Sequence, residues 1–154
     1  DKIINNGEFI TVDYGVIYKG YCSDETCTFV MGKPDSRQKK IYTTVKDAHD
    51  YAIEALSGGS LLKQVDAAAR VHIELEGFGK YFSHGTGHGV GLSVHEPPSV
   101  SGRSKDRVAP SMVLTIEPGI YIPGFGGVRI EDTVVVTESG CEVITKMDKK
   151  LISL

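Results

Sequence analysis

The sequence predicts a single α+β domain over residues 1–154. Three observations predict it: a β-rich run from Phe9 to about Met31, two consecutive helical segments between Asp35 and Gly77, and short strands separated by glycine turns from Met112 to Thr145. With 40% hydrophobic and 24% charged residues, the chain is ordinary for a globular domain that can bury a core.

Asn5-Asn6-Gly7 is a turn signal before the first strand, and Tyr18-Lys19 reads as the loop of a hairpin within the β-rich run. Gly32-Lys33-Pro34 breaks the run, and Asp35 or Ser36 can cap the helix that follows. Ile41, Val45, Ala48, Ala52 and Leu56 recur at helical spacing until Ser57-Gly58-Gly59. Ser60 is the expected cap of a second helix, which carries Leu61, Val65, Ala69 and Ile73 to Gly77. The alanines suggest close packing on a sheet. His72 is expected at a helical core position and His49 on a polar face. Arg103, Lys105 and Arg107 read as a solvated loop. Met112–Ile116 reads as a buried strand, Val128–Thr137 as a two-faced strand, and Cys141–Thr145 as a final strand before a charged tail.

A net charge of −3 gives no electrostatic reason to expect nucleic acid or an anionic membrane surface as partner. No apolar run approaches the ~20 residues a spanning helix needs. Cys22, Cys27 and Cys141 form no CxxC and read as reduced thiols of an intracellular, cytoplasmic protein.

Chemistry concentrates in Ser83–Pro98, which holds three of the five histidines and four of the eighteen glycines. Histidine offers a neutral nitrogen ligand or a proton carrier near pH 7, and glycine permits close approach. The acids complete the pattern. A loop at Tyr18-Lys19 would set Asp13 directly opposite Asp24, and a loop centred on Gly124 would set Glu117 opposite Glu131. Any one of these acids alone reads as a solvated strand residue. Like charges facing each other inside apolar runs are destabilising unless something neutralises them, and divalent cations accept carboxylate oxygens readily. Four carboxylates and one of the three histidines His84, His88 and His95 approximate the ligand set of a dinuclear metal hydrolase.

These residues resemble a known family. VDYGVIYKGYCSDETCTF at 12–29, HGTGHGVGLSVHEPP at 84–98, LTIEPGIY at 114–121 and GGVRIEDTVVVT at 126–137 are similar to the motifs of Xaa-Pro dipeptidases and aminopeptidase P, relatives of methionine aminopeptidase. The resemblance implies the pita-bread fold, a curved antiparallel sheet flanked by helices, with the N-terminal part of the domain truncated. Position by position it implies Asp13, Asp24, His88, Glu117 and Glu131 as metal ligands, and His84, His95, Glu117 and Arg129 as catalytic residues. It implies two divalent ions, manganese first and cobalt, zinc or iron as alternatives, and a metal-bridging hydroxide that cleaves the Xaa-Pro bond of dipeptides or short peptides. A short proline-containing peptide is the expected substrate, and a homodimer the expected full-length assembly. Two other readings stay open, a methionine aminopeptidase-like enzyme and a folded but inactive binding module. One departure stands out: the family's Asp-x-Thr-Arg-Thr motif has Cys27 at the arginine position here, which predicts a lost charge near the site.

Overall fold

The computed structural model describes residues 2–154. Strands β1 (Phe9–Tyr14), β2 (Ile17–Tyr18), β3 (Tyr21–Cys22) and β4 (Glu25–Val30) come first. Helices α1 (Ser36–Glu54) and α2 (Leu62–Leu75) follow. Then come β5 (Gly87–Gly89), β6 (Glu96–Val100), β7 (Val113–Ile116), β8 (Gly119–Ile122), β9 (Gly126–Arg129), β10 (Asp132–Val136), β11 (Cys141–Val143) and β12 (Ile152–Ser153). The hydrogen bonding makes a three-stranded sheet ordered β1-β4-β12 and a five-stranded sheet ordered β11-β10-β7-β5-β6, with ribbons β2–β3 and β8–β9. The five-stranded sheet is antiparallel throughout, whereas β12 runs parallel to β4.

Asp35 caps α1. Its carboxylate accepts from Gln38 N at 2.7 Å, and the Gln38 side chain accepts from Asp35 N at 3.0 Å, the reciprocal arrangement that satisfies two orphan donors. The stripe Ile41, Val45, Ala48, Ala52 is fully buried, each large apolar side chain contributing roughly 1.5–3 kcal/mol. His49 lies in the same buried face, 2% exposed, so the expected polar-face placement is overturned. What makes the burial tolerable is Asp132, whose Oδ2 lies 3.2 Å from His49 Nε2. His72, by contrast, is only partly buried and stacks edge-on against Tyr51.

Ser60 does not cap α2. Its carbonyl accepts from Val108 N at 2.8 Å and its hydroxyl meets Ser57 Oγ at 3.0 Å. The cap position falls to Leu61, whose backbone bridges to Arg107. The helix ends as expected at Gly77, with φ +84°, and Phe78 N donates to Ile73 O at 2.9 Å, a Schellman closure. Both helices and the inner strands share one apolar cluster that includes Leu62, Leu114, Ile116, Ile120, Val128 and Val134. No helix among the described residues is long and apolar enough to cross a membrane.

The first hairpin turns at Lys19-Gly20, not Tyr18-Lys19. Tyr18 pairs with Tyr21, and both loop residues have positive φ, +50° and +86°, as a type I′ turn requires. The register therefore shifts by two residues, and Asp13 pairs with Thr26 rather than Asp24. The second hairpin keeps its expected register: Gly119 pairs with Arg129 and Ile122 with Gly126. The expected strand Val128–Thr137 is broken at Ile130-Glu131, where the chain passes from β9 to β10.

Candidate metal centre

A side chain keeps its face of the sheet when the register shifts by two. Asp13 and Asp24 are thus diagonal neighbours on one face, and both still reach Glu131. Three groups of donor atoms, each within 4.8 Å of one another, overlap: Asp13, Asp24 and Glu131; His88, Glu117 and Glu131; Asp24, His88 and His95. All five sequence-expected ligands converge, with His95 beside them. The ring centroids of His88 and His95 are 4.0 Å apart.

The histidine stretch is held from below by α2. Asp66, 1% exposed, accepts from Thr86 Oγ1 at 2.8 Å and from Thr86 N at 3.2 Å. Arg70 forks onto Asp66 with two 2.9 Å bonds and donates to the carbonyls of Phe82 and His84 at 3.1 and 2.7 Å. Gly87 lies where a Cβ would come within 1.9 Å of the Thr115 carbonyl. That close approach seats β5 on β7 and carries His88 toward Glu117.

The tautomer of His88 follows from its neighbours. Nδ1 lies 2.9 Å from the Gly89 carbonyl, which can only accept, so Nδ1 carries the proton and Nε2 presents its lone pair. That lone pair faces Glu117 Oε1 at 3.1 Å and Asp24 Oδ2 at 3.7 Å. Lone pair facing carboxylates is a repulsive set that a cation between them relieves, or a proton on the ring. Burial lowers the His88 pKa, but Glu117, the Gly89 carbonyl and Asp24 together favour the protonated ring and raise the group overall. Burial raises Glu117, but a protonated His88, with His84 and Arg129, holds it below its ordinary value. Burial and then the Asp13 charge push Asp24 up. Glu131, 2% exposed, is pushed up to about 8 by burial and by Glu117, Asp24 and Asp13, although Thr26 Oγ1 donates to it at 2.5 Å. Four converging carboxylates and an imidazole lone pair fit two hard or borderline divalent ions.

His84, Tyr121 and Arg129 form a connected chain. Nδ1 of His84 donates to its neighbour's carbonyl, Gly85 O, at 2.7 Å, so its Nε2 accepts from the Tyr121 hydroxyl at 2.9 Å. The Tyr121 oxygen accepts from Arg129 Nη1 at 3.0 Å, and Arg129 also pairs with Asp13. Tyr121 is the member that reading the sequence missed as a functional residue; its only signal was its place four residues after Glu117. Asp13, His84, His88, His95, Glu117 and Arg129 line a cavity of about 430 Å³. His84 and Gly85 also line a second cavity of about 480 Å³ with Arg70 and Arg103. Arg103 is exposed, as the sequence predicts, and borders this second cavity. A third space of about 340 Å³ runs from Asp13 and Asp24 to Val16, Ile17 and Val94.

At Cys27 the charge missing from the motif is supplied from elsewhere. Lys149 Nζ, from the C-terminal tail, lies 3.5 Å from Cys27 Sγ.

The sequence model of metallopeptidase family M24 matches residues 1–138. An Xaa-Pro dipeptidase of Pyrococcus furiosus is 46% identical over 152 residues, 99% of this chain and 44% of the relative. The structure of an Xaa-Pro dipeptidase from Bacillus anthracis superposes with a TM-score of 0.97 at 48% identity, over 99% of this chain and 43% of the other. The X-Pro aminopeptidase of Thermotoga maritima gives a TM-score of 0.97 at 37% identity, over 100% of this chain and 44% of the other. The chain thus spans less than half the length of these relatives.

Proposed function

The chain belongs to metallopeptidase family M24, and from that premise we propose that it carries the dinuclear centre of an exopeptidase cleaving Xaa-Pro bonds in short peptides. The observation that carries this reading is the overlap of three donor groups on Asp13, Asp24, His88, Glu117 and Glu131. The pair of ions is manganese in this reading, a choice the oxygen-rich donor set favours. When bound, the ions supply a water of lowered pKa and polarise the scissile carbonyl. The three free thiols suit a reducing, cytoplasmic setting.

The remaining chemistry belongs to the chain's own side chains. Glu117 accepts a proton and returns it to the leaving nitrogen; a prolyl nitrogen carries no hydrogen of its own and needs that proton to leave. His95, exposed at the rim beside His88, donates to the developing oxyanion. His84 acts through Tyr121, because both of its ring nitrogens are already engaged. Arg129 fixes Asp13 and Tyr121 together. The apolar space at Val16, Ile17 and Val94 receives the side chain ahead of proline, and Arg103, beyond His84, meets the carboxylate of a dipeptide.

The experiment is hydrolysis of Gly-Pro, Gly-Pro-amide and Met-Ala by the metal-loaded protein and by Glu117→Ala. The reading expects Gly-Pro to be cleaved fastest and Glu117→Ala to be inactive. Wild-type turnover by Glu117→Ala, or preference for Met-Ala, overturns it.

A further inference from the structure

Glu25 and Asp132 each follow a candidate ligand, Asp24 and Glu131, by one residue. In extended backbone, successive side chains point to opposite faces. The two following acids therefore project away from the centre, to the rear of the strands, where they meet a single cation. Lys149 Nζ lies 2.6 Å from Glu25 Oε1 and 3.2 Å from Asp132 Oδ1, and its side chain is only 8% exposed. The outer oxygens of both acids face other side chains. Tyr14 O–H donates to Glu25 Oε2 at 2.8 Å, and His49 Nε2 lies 3.2 Å from Asp132 Oδ2.

We propose that Lys149 is a positioning residue, a buried ammonium that ties β4 to β10 behind the metal centre and so fixes the separation of Asp24 and Glu131. This rests on the dinuclear reading above. The need for such a tie comes from the topology. β4 belongs to the three-stranded sheet and β10 to the five-stranded one, so no ladder sets the distance between them. Beside the ligands the two are joined by Glu131 N to Thr26 O at 3.0 Å and Thr133 Oγ1 to Asp24 O at 2.7 Å. Asp24 and Glu131 are the carboxylates common to two donor groups each, so their separation governs whether both ions can be held together. Carboxylates on the front face repel one another, and Glu25 and Asp132 would add to that repulsion from behind. One ammonium shared by the rear pair attracts both carboxylates and offsets that repulsion. A buried pair that loses one partner leaves uncompensated charge, and here that charge would lie one residue from each ligand.

The test is calorimetric titration of the purified, metal-stripped protein with Mn(II), together with the visible spectrum of its Co(II) form and its thermal midpoint. The proposal expects Lys149→Met to weaken binding of at least one ion by ~10–100-fold, the range for residues that orient ligands, and to change the Co(II) spectrum. Lys149→Arg should restore both, as should Cys27→Arg in the Lys149→Met background, because Cys27 Sγ adjoins Nζ. A Lys149→Met protein that melts earlier but binds two ions with wild-type affinity and spectrum overturns the proposal, leaving Lys149 a plain salt bridge. If Lys149→Met does not fold, Glu25→Gln removes one rear anion and leaves Lys149 on Asp132; unchanged metal affinity there also overturns it, and weaker affinity supports it. A wild-type protein that binds no ion refutes the dinuclear reading itself, a result distinct from failure of the clamp alone.

Discussion

His88 Nε2 and Glu117 Oε1 face each other across 3.1 Å, with the far nitrogen of the ring tied to the Gly89 carbonyl at 2.9 Å. In the proposed two-ion centre both atoms face one shared cation. His88→Ala should therefore lower bound metal below that of the wild type, while Glu117→Gln, which keeps the shape but not the proton acceptor, should cut kcat by ~10²–10⁴. Metal analysis of the two purified variants beside single-turnover rates checks both. Wild-type metal content in His88→Ala contradicts the assignment.

The pH dependence of the metal-free protein follows from Glu131. Its folded pKa of about 8 lies above the ordinary 4.5, so the folded state keeps a proton that the unfolded chain releases between those values. That stabilising contribution is fully present below the lower value and is lost as pH rises through the upper one. The midpoint of metal-free unfolding should drop by several degrees between about pH 5.5 and about pH 8.5. Metal loading should abolish or reverse the trend, because the ions require the ionised carboxylate. Differential scanning calorimetry across that range checks the sign, and a metal-free midpoint that climbs with pH contradicts it.

Tyr121 hydroxyl joins His84 to Arg129 and touches no candidate ligand directly. Tyr121→Phe should bind metal as the wild type does and lose about 10–100-fold in kcat/KM, roughly 1.4–2.7 kcal/mol of transition-state stabilisation. Kinetics on Gly-Pro with parallel metal analysis separates the two; lost metal with an unchanged rate per ion contradicts the chain of contacts.

Much of this was legible in the sequence where neighbours in the chain decide the outcome. Pro123-Gly124 centres its hairpin unambiguously, so Glu117 and Glu131 are brought together as expected. Tyr18-Lys19-Gly20 allows two loops, and the glycine's positive φ selects Lys19-Gly20. The two-residue shift moves Asp13 off Asp24 yet keeps both on one face, so both still reach Glu131 despite the changed register. Side chains whose partners are remote in sequence stayed hidden. His49 looks polar until Asp132 arrives from β10, and Lys149 looks like a solvated tail residue until Glu25 and Asp132 bracket it. Asp66 and Arg70 carried no signal at all, because nothing local shows that Thr86 and two loop carbonyls dock on them.

Five side chains from β1, the β3–β4 turn, β5 and the flanks of the second hairpin converge on one candidate two-ion centre. Titration of the metal-stripped protein with Mn(II), followed by elemental analysis after dialysis, tests it most directly. About two ions per chain are expected for the wild type and fewer in Glu131→Ala, which removes a donor common to two of the three groups. A wild-type protein that retains no ion, or a Glu131→Ala protein that still retains two, would contradict it.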